Sequence, residues 1–155
     1  LSKNLPSQAS LTAVELSEQA LSYLYRNKER HRCDNLAVVQ ADVLTWQPQQ
    51  LFDLITSNPP YISDQEMLEL QPEVRWEPEM ALRAQENGLY FYRVLSKRCQ
   101  SYLRAGGWLL FEIGYTQGQA VSDLLLAEGY TDIRLIPDYN GNDRVVAARW
   151  QPAER

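Results

Sequence analysis

The sequence predicts a three-layer α/β domain built on a mostly parallel sheet with an antiparallel terminal strand, and three observations carry that prediction. Short apolar runs alternate with stretches of helical periodicity along the 155 residues, and strands that alternate with helices form a mostly parallel sheet covered on both faces. The last two apolar runs break the pattern, because DYNGNDR (Asp138 to Arg144) between them carries Asn140-Gly141, a hairpin signal. One run near the middle, LFDLITS (Leu51 to Ser57), stops abruptly in Asn58-Pro59-Pro60-Tyr61. Two prolines cannot continue a central strand, since each lacks the N–H that the ladder needs.

The elements follow in order. LTAVEL (Leu11 to Leu16) reads as a strand, and Ser17 then caps a helix over SEQALSYLYRNKERHR with Leu16, Ala20, Leu21 and Leu24 on one face. LAVVQ (Leu36 to Gln40) and LFDLITS are the next two strands. NGLYFYRVLSKRCQSYLRAGG places Leu89, Tyr92, Leu95, Cys99, Tyr102 and Leu103 at helical spacing and closes on Gly106 and Gly107, which read as a helix stop. WLLFEIG is a buried strand, TQGQAVSDLLLAEG a helix with Val121, Leu124 and Leu125 inward, and YTDIRLIP and DRVVAARW are the final strands.

Composition narrows the function classes. The 45% hydrophobic and 23% charged fractions are those of a soluble globular chain, and no apolar run approaches the roughly 18 residues of a membrane span. The opening LSKNLPSQAS has neither an initiator methionine nor the order of a signal peptide, so we expect the chain to begin partway through a longer protein. Cys33 and Cys99 belong to no C-x-x-C pair and read as two buried or semi-buried thiols in a reducing compartment, the cytoplasm. His31 is the only histidine and reads as a solvated helix end, so no metal site is expected. A formal charge of −5 without a basic stripe argues against a nucleic-acid substrate and for a protein or small molecule.

Ligands bind open parallel sheets at the carboxyl ends of the strands, and NPPY stands at such an end. Asn58 offers a side-chain carbonyl acceptor, and Pro59 a backbone carbonyl held in one direction by the ring that follows. Two fixed acceptors about one amide apart suit a planar –NH2 group, with Tyr61 as a flat face against it. Two other readings stand beside this one: a plain strand-ending turn, and the N-P-x-Y recognition signal of disordered tails. A P-P-x-Y ligand fails because position 62 is Ile.

FDLITSNPPYI, VRWEPEMAL (Val74 to Leu82), Asn87-Gly88-Leu89, GGWLLFEIGYTQG and DYNGNDRVVAARW together resemble the HemK/PrmC glutamine N-methyltransferases, which are class I S-adenosylmethionine-dependent enzymes that modify the Gly-Gly-Gln glutamine of peptide-chain release factors. The resemblance runs from about residue 11 to residue 150. It implies a Rossmann-like sheet, S-adenosylmethionine as cofactor and a release factor as protein partner. It also implies that Glu15 holds the cofactor ribose, that Asp42 and Val43 contact the adenine, and that Asn58, Pro59, Pro60 and Tyr61 form the catalytic motif, with Asn58 also at the cofactor. Val43 stands where the family often has an aromatic. Glu15 also reads as an exposed strand-end carboxylate and Asp42 as a turn cap, and Arg75, Trp76 and Glu77 as residues that order a loop over the site.

The resemblance also defines what is missing. The family's first strand, its Gly-rich cofactor loop and its helical substrate-docking domain have no counterpart, and LSKNLPSQ resembles the end of the first helix. Residues 1–155 are thus expected to be a partial methyltransferase domain, either inactive alone or completed by another chain, with self-association through the incomplete sheet left open. The rivals are an N6-adenine or N2-guanine methyltransferase, which shares NPPY, and a non-catalytic fragment acting as a binding module.

Overall fold

The computed structural model describes residues 2–6, 8–72 and 74–152. It divides into two compact units, Leu1–Gln47 and Pro48–Arg155. Residues 2–6 form turns rather than a helix end, and Leu1 and Ser7 of the same opening stretch lie outside the described residues.

The first unit contains β1 (Leu11–Glu15), α1 (Glu18–His31) and β2 (Leu36–Gln40). Strands β1 and β2 pair in parallel, Leu11 opposite Leu36 and Glu15 opposite Gln40. Ser17 caps α1 as expected, its hydroxyl accepting the N–H of Ala20 at 3.3 Å. The helix closes on Arg32, which adopts φ 49 and returns its N–H to the carbonyls of Glu29 and Lys28. His31 is exposed at that end. The apolar face is narrower than the spacing suggested: Leu21 is buried, whereas Leu16 precedes the helix and is exposed, as is Ala20. Among the described residues of this unit only Leu21 is buried, because a two-stranded sheet offers one helix little to pack against.

The second unit is built on a four-stranded sheet of order β3-β4-β6-β5, comprising β3 (Phe52–Ser57), β4 (Leu103–Glu112), β5 (Tyr130–Pro137) and β6 (Asp143–Trp150). Strands β3 and β4 are parallel, and β6 runs antiparallel to both β4 and β5. The expected hairpin joins β5 to β6, with Gly141 at φ +83 in its turn. Its neighbour Asp138 accepts the N–H groups of Asn140 at 2.9 Å and Asn142 at 3.0 Å, so DYNGNDR is turn chemistry. The core joins Leu109, Phe111 and Ile113 along the β4 line, Val146 to Ala148 of β6, and Tyr92, Leu95 and Cys99 of α3 (Tyr90–Cys99). Val121 and Leu125 of α4 (Gly118–Ala127) complete it, while Leu124 is only half-buried.

One boundary differs from the expectation. Helix α3 ends at Cys99, and Gly106 and Gly107 lie inside β4 rather than stopping a helix. The carbonyl of Tyr102 is taken by the N–H of Phe52 at 2.8 Å, which draws Tyr102 and Leu103 into strand pairing despite their helical spacing. Phe52 pairs with Leu103 and Leu54 with Trp108, so β4 makes an excursion between them, turning at Gly106 with φ +81. Among the described residues no helix is long and apolar enough to cross a membrane.

Candidate active site

Strand β3 delivers Asn58 at its carboxyl end, and the next paired residue is Ile62. The Ile62 N–H donates to Leu82 at 2.9 Å and its carbonyl accepts from Ala84 at 2.8 Å, a parallel bridge that fixes the far end of Asn58-Pro59-Pro60-Tyr61. Pro59 is buried, Pro60 and Tyr61 are half-buried, and Asn58 is exposed. Among the described residues no group holds the Asn58 carboxamide by a hydrogen bond, so its acceptor and donor are both available.

Between Ile62 and its partner the chain makes a wide excursion. Ser63 and Glu66 form a reciprocal cap, the Glu66 carboxylate accepting the Ser63 N–H at 2.9 Å while the Ser63 hydroxyl accepts the Glu66 N–H at 3.3 Å. Two single-turn 3₁₀ helices, Glu66–Leu68 and Val74–Trp76, follow, then α2 (Glu79–Leu82). Arg75 ties the excursion across itself, donating to the carbonyls of Leu70 at 3.1 Å and Leu68 at 3.4 Å. Trp76 packs on little, with 89% of its surface exposed. The excursion and the ends of β3 and β4 enclose a cavity of about 640 Å³ whose wall includes Asn58, Tyr61, Val74, Glu77, Ala81 and Leu82. Among the described residues Glu66, Glu69, Glu77 and Glu112 line it, and no Lys or Arg does.

A buried glutamine holds the motif from behind. Gln117 precedes α4 as its N-cap residue, yet its side chain makes no capping bond. The amide instead donates from Nε2 to the carbonyl of Tyr61 at 3.0 Å and accepts at Oε1 from the N–H of Gly114 at 3.0 Å. Tyr92 donates its hydroxyl to the carbonyl of Glu112 at 2.9 Å and stands 3.4 Å from the same Oε1. Burial pushes the Tyr92 hydroxyl far above its ordinary pKa, so it stays protonated and remains a donor. Gly88, at φ +84, packs where a Cβ would overlap the Tyr61 carbonyl oxygen and stand 2.5 Å from Nε2 of Gln117. Sequence reasoning missed Gln117. No local signal marks it: its flanking Gly114 and Gly118 are required by close approaches that only the structure reveals.

In the first unit, Glu15 ends β1 and Asp42 follows the paired strand β2, with Ala41 donating its N–H to the Glu15 carbonyl at 3.1 Å. The two carboxylates therefore occupy neighbouring strand ends. Glu15 accepts the N–H of Ser17 at one oxygen, 2.8 Å, and Asp42 that of Leu44, also 2.8 Å. Asp42 thus does cap a turn. Among the described residues the second oxygen of each has no partner, and Val43 beside them is half-buried. A free carboxylate oxygen on each of two adjacent strand ends fits a nucleoside that presents hydroxyl and amino donors. Among the described residues no group of three or more His, Cys, Asp and Glu could hold a metal ion.

Comparison with known proteins adds the family. The model of the Methyltransferase small domain matches residues 1–77. The release factor glutamine methyltransferase of Fusobacterium nucleatum is 37% identical over 143 residues, which is 91% of this chain and 40% of that protein. The protein of the same name from Geobacter sulfurreducens is 40% identical over 150 residues, 96% of this chain and 52% of that protein. The chain therefore spans about half the length of the relatives it matches. Among solved structures, a methyltransferase from Pyrococcus furiosus superposes with a TM-score of 0.69 at 20% identity, over 92% of this chain and 64% of that one. The fold is that of the class I methyltransferases.

Proposed function

Starting from the chain's membership of the release factor glutamine methyltransferase family, we propose that the whole protein transfers a methyl group from S-adenosylmethionine to the side-chain amide nitrogen of the glutamine in the Gly-Gly-Gln motif of a peptide chain release factor. The observation that carries this reading is the Asn58 carboxamide, unpartnered among the described residues, in the wall of a 640 Å³ cavity and followed directly by the buried Pro59.

An amide nitrogen is a poor nucleophile because its lone pair is delocalised into the carbonyl. The Asn58 side-chain oxygen and the Pro59 carbonyl each accept one N–H hydrogen of the target amide, which fixes its plane and raises electron density on nitrogen. Tyr61 shapes the pocket beside that plane, and the ring of Pro60 holds the Pro59 carbonyl in direction. Glu15 and Asp42 hold the ribose and the adenine of the cofactor, with Val43 packed against the base. When bound, the cofactor supplies an electrophilic methyl on its sulfonium sulfur.

The wall of the cavity favours a protein over a nucleic acid. Among the described residues four carboxylates and no cation line it, and such a surface repels the phosphates that supply most nucleic-acid affinity. The two free thiols suit a reducing compartment, so the cytoplasm is the proposed location. We also infer that residues 1–155 are part of a methyltransferase domain completed by a strand from elsewhere. Among the described residues β1 pairs only with β2 and β3 only with β4, and β3 carries Leu54 with 42% of its surface exposed.

The test is transfer of labelled methyl from S-adenosylmethionine to a Gly-Gly-Gln release factor, with the 155-residue chain beside the longer natural polypeptide that this inference supposes. Label on the glutamine with the full polypeptide alone supports both the activity and the completing strand. Label on DNA alone establishes the nucleobase reading. Cofactor binding without label on either substrate overturns the activity, and failure to bind cofactor leaves the chain a binding module.

A further inference from the structure

We propose that Gln117 is a positioning residue of the active site, bracing the Asn58-Pro59 acceptors through the Tyr61 carbonyl; the inference rests on the function proposed above and deepens it. The two prolines supply no N–H, so between the end of β3 and the bridge at Ile62 the Tyr61 carbonyl is the anchor, and a side chain holds it.

The orientation of that side chain is forced. Gly114 presents an N–H, which can only donate, and Tyr61 presents a carbonyl, which can only accept, so the amide lies with Oε1 on Gly114 and Nε2 on Tyr61. A flipped amide would set donor against donor and acceptor against acceptor. Gln117 is 8% exposed, so water does not replace either bond freely. Its own N–H donates to the Gly114 carbonyl at 2.9 Å, which makes the 114–117 turn a closed reciprocal loop. The amide thereby ties the segment after β3 to the segment after β4. A helix N-cap position ordinarily carries a shorter side chain, Ser, Thr, Asp or Asn, that serves the helix's own N–H groups. Here α4 goes without that cap, and the amide serves Tyr61 instead.

An acceptor pair must be held to a fraction of an ångström, and a misplacement of about 1 Å from a remote change can lower a rate about 10²-fold. The experiment compares Gln117→Met, which keeps volume and removes both bonds, with Gln117→Glu, which keeps the acceptor for Gly114 and, once ionised, has no donor for Tyr61; kcat is read across alkaline pH, because a buried carboxyl that stays protonated still donates. Both are made in the full natural polypeptide, with Gln119→Ala on the exposed side of α4 as control. The expected result is a fall in kcat on the order of 10²-fold in both Gln117 variants, with the cofactor KM within twofold of wild type and the control unchanged. Hydrogen exchange should quicken at Ile62 in both variants, and at Gly114 in Gln117→Met but not in Gln117→Glu.

Retention of kcat within twofold in Gln117→Met, or in Gln117→Glu at the alkaline end of the range, overturns the proposal, as does a wild-type exchange rate at Ile62 in Gln117→Met. A polypeptide that transfers no methyl even as wild type refutes the proposed function instead, and hydrogen exchange at Ile62 then decides the brace by itself.

Discussion

Gly88 and Gly141 form a matched pair that measures how tightly the candidate site is packed from behind. Both adopt the left-handed conformation, at φ +84 and φ +83, so replacing either by Ala carries the same backbone penalty, about 1–2 kcal/mol. Around Gly141 a Cβ meets nothing within 4 Å, and that penalty is the whole expected effect. At Gly88 a Cβ would overlap the Tyr61 carbonyl and stand 2.5 Å from Nε2 of Gln117, where carbon and nitrogen need about 3.5 Å. Relief requires one of them to move and their hydrogen bond to break, which adds roughly 1–3 kcal/mol for overpacking and about 1 kcal/mol for the bond. Gly88→Ala should thus be less stable than Gly141→Ala by about 2–4 kcal/mol. Denaturant unfolding of the two variants in the full natural polypeptide gives that difference directly, because the backbone term cancels. Equal destabilisation would refute the claim that Gly88 is required by the close approach of residues 87–89 to Tyr61.

Three further outcomes are expected. Asn58→Ala should lower kcat by a factor on the order of 10²–10³ with little change in folding, since it removes one preorganised acceptor; a rate near wild type in a methyl-transfer assay would sink the assignment. Cys99 is 4% exposed and burial pushes its thiol up to about 12, so at pH 8 a thiol reagent should modify only the half-buried Cys33 in the native protein and both cysteines after unfolding. The Asp138 carboxyl is held below its ordinary 3.8, first by the backbone N–H of Asn142 and then by Asn140 and Arg144. Its folded value is depressed, so its contribution is present above that ordinary value and is lost as the pH falls through the folded one. Asp138→Asn should therefore show a shallower loss of stability on the acid side than wild type, and parallel acid limbs would show that the turn carboxylate contributes nothing.

Strands were legible wherever local pattern and tertiary pairing agree. Leu36–Gln40, Tyr130–Pro137 and Asp143–Trp150 fall where the apolar runs place them, and Ser17 caps α1 because its hydroxyl and the first turn are neighbours in sequence. Tyr102 and Leu103 were not legible. Their spacing is helical, and only the N–H of Phe52, fifty residues earlier, takes the carbonyl that a continued helix would have used. The same division runs through the candidate site. Asn58 to Tyr61 announce themselves because prolines punctuate the chain, whereas Glu15 and Asp42 were reached only through what the family resemblance implies. Gln117 gives no such sign, since a glutamine at a helix start reads as solvated surface until the carbonyl it serves, on another segment, is known.

Motifs that look separate in the sequence prove to be one hydrogen-bonded path in the second unit. Asp138 closes the β5–β6 turn and receives Arg144 at 3.3 Å. Arg144 reaches back to donate to the Ile113 carbonyl at 3.2 Å, and the Ile113 N–H donates to the Arg144 carbonyl at 2.9 Å. The next residue, Gly114, donates to Gln117, and Gln117 donates to Tyr61. The ion pair at the start of this path is partly exposed, with 35% and 21% of the two side chains accessible, so its energy is small and its geometry is what matters. DYNGNDR and GYTQG therefore bear on NPPY through hydrogen bonds: each fixes the residue that fixes the next. Such a path constrains position along its whole length while each bond contributes only about 1 kcal/mol, which is why its members should show up more strongly in turnover than in stability.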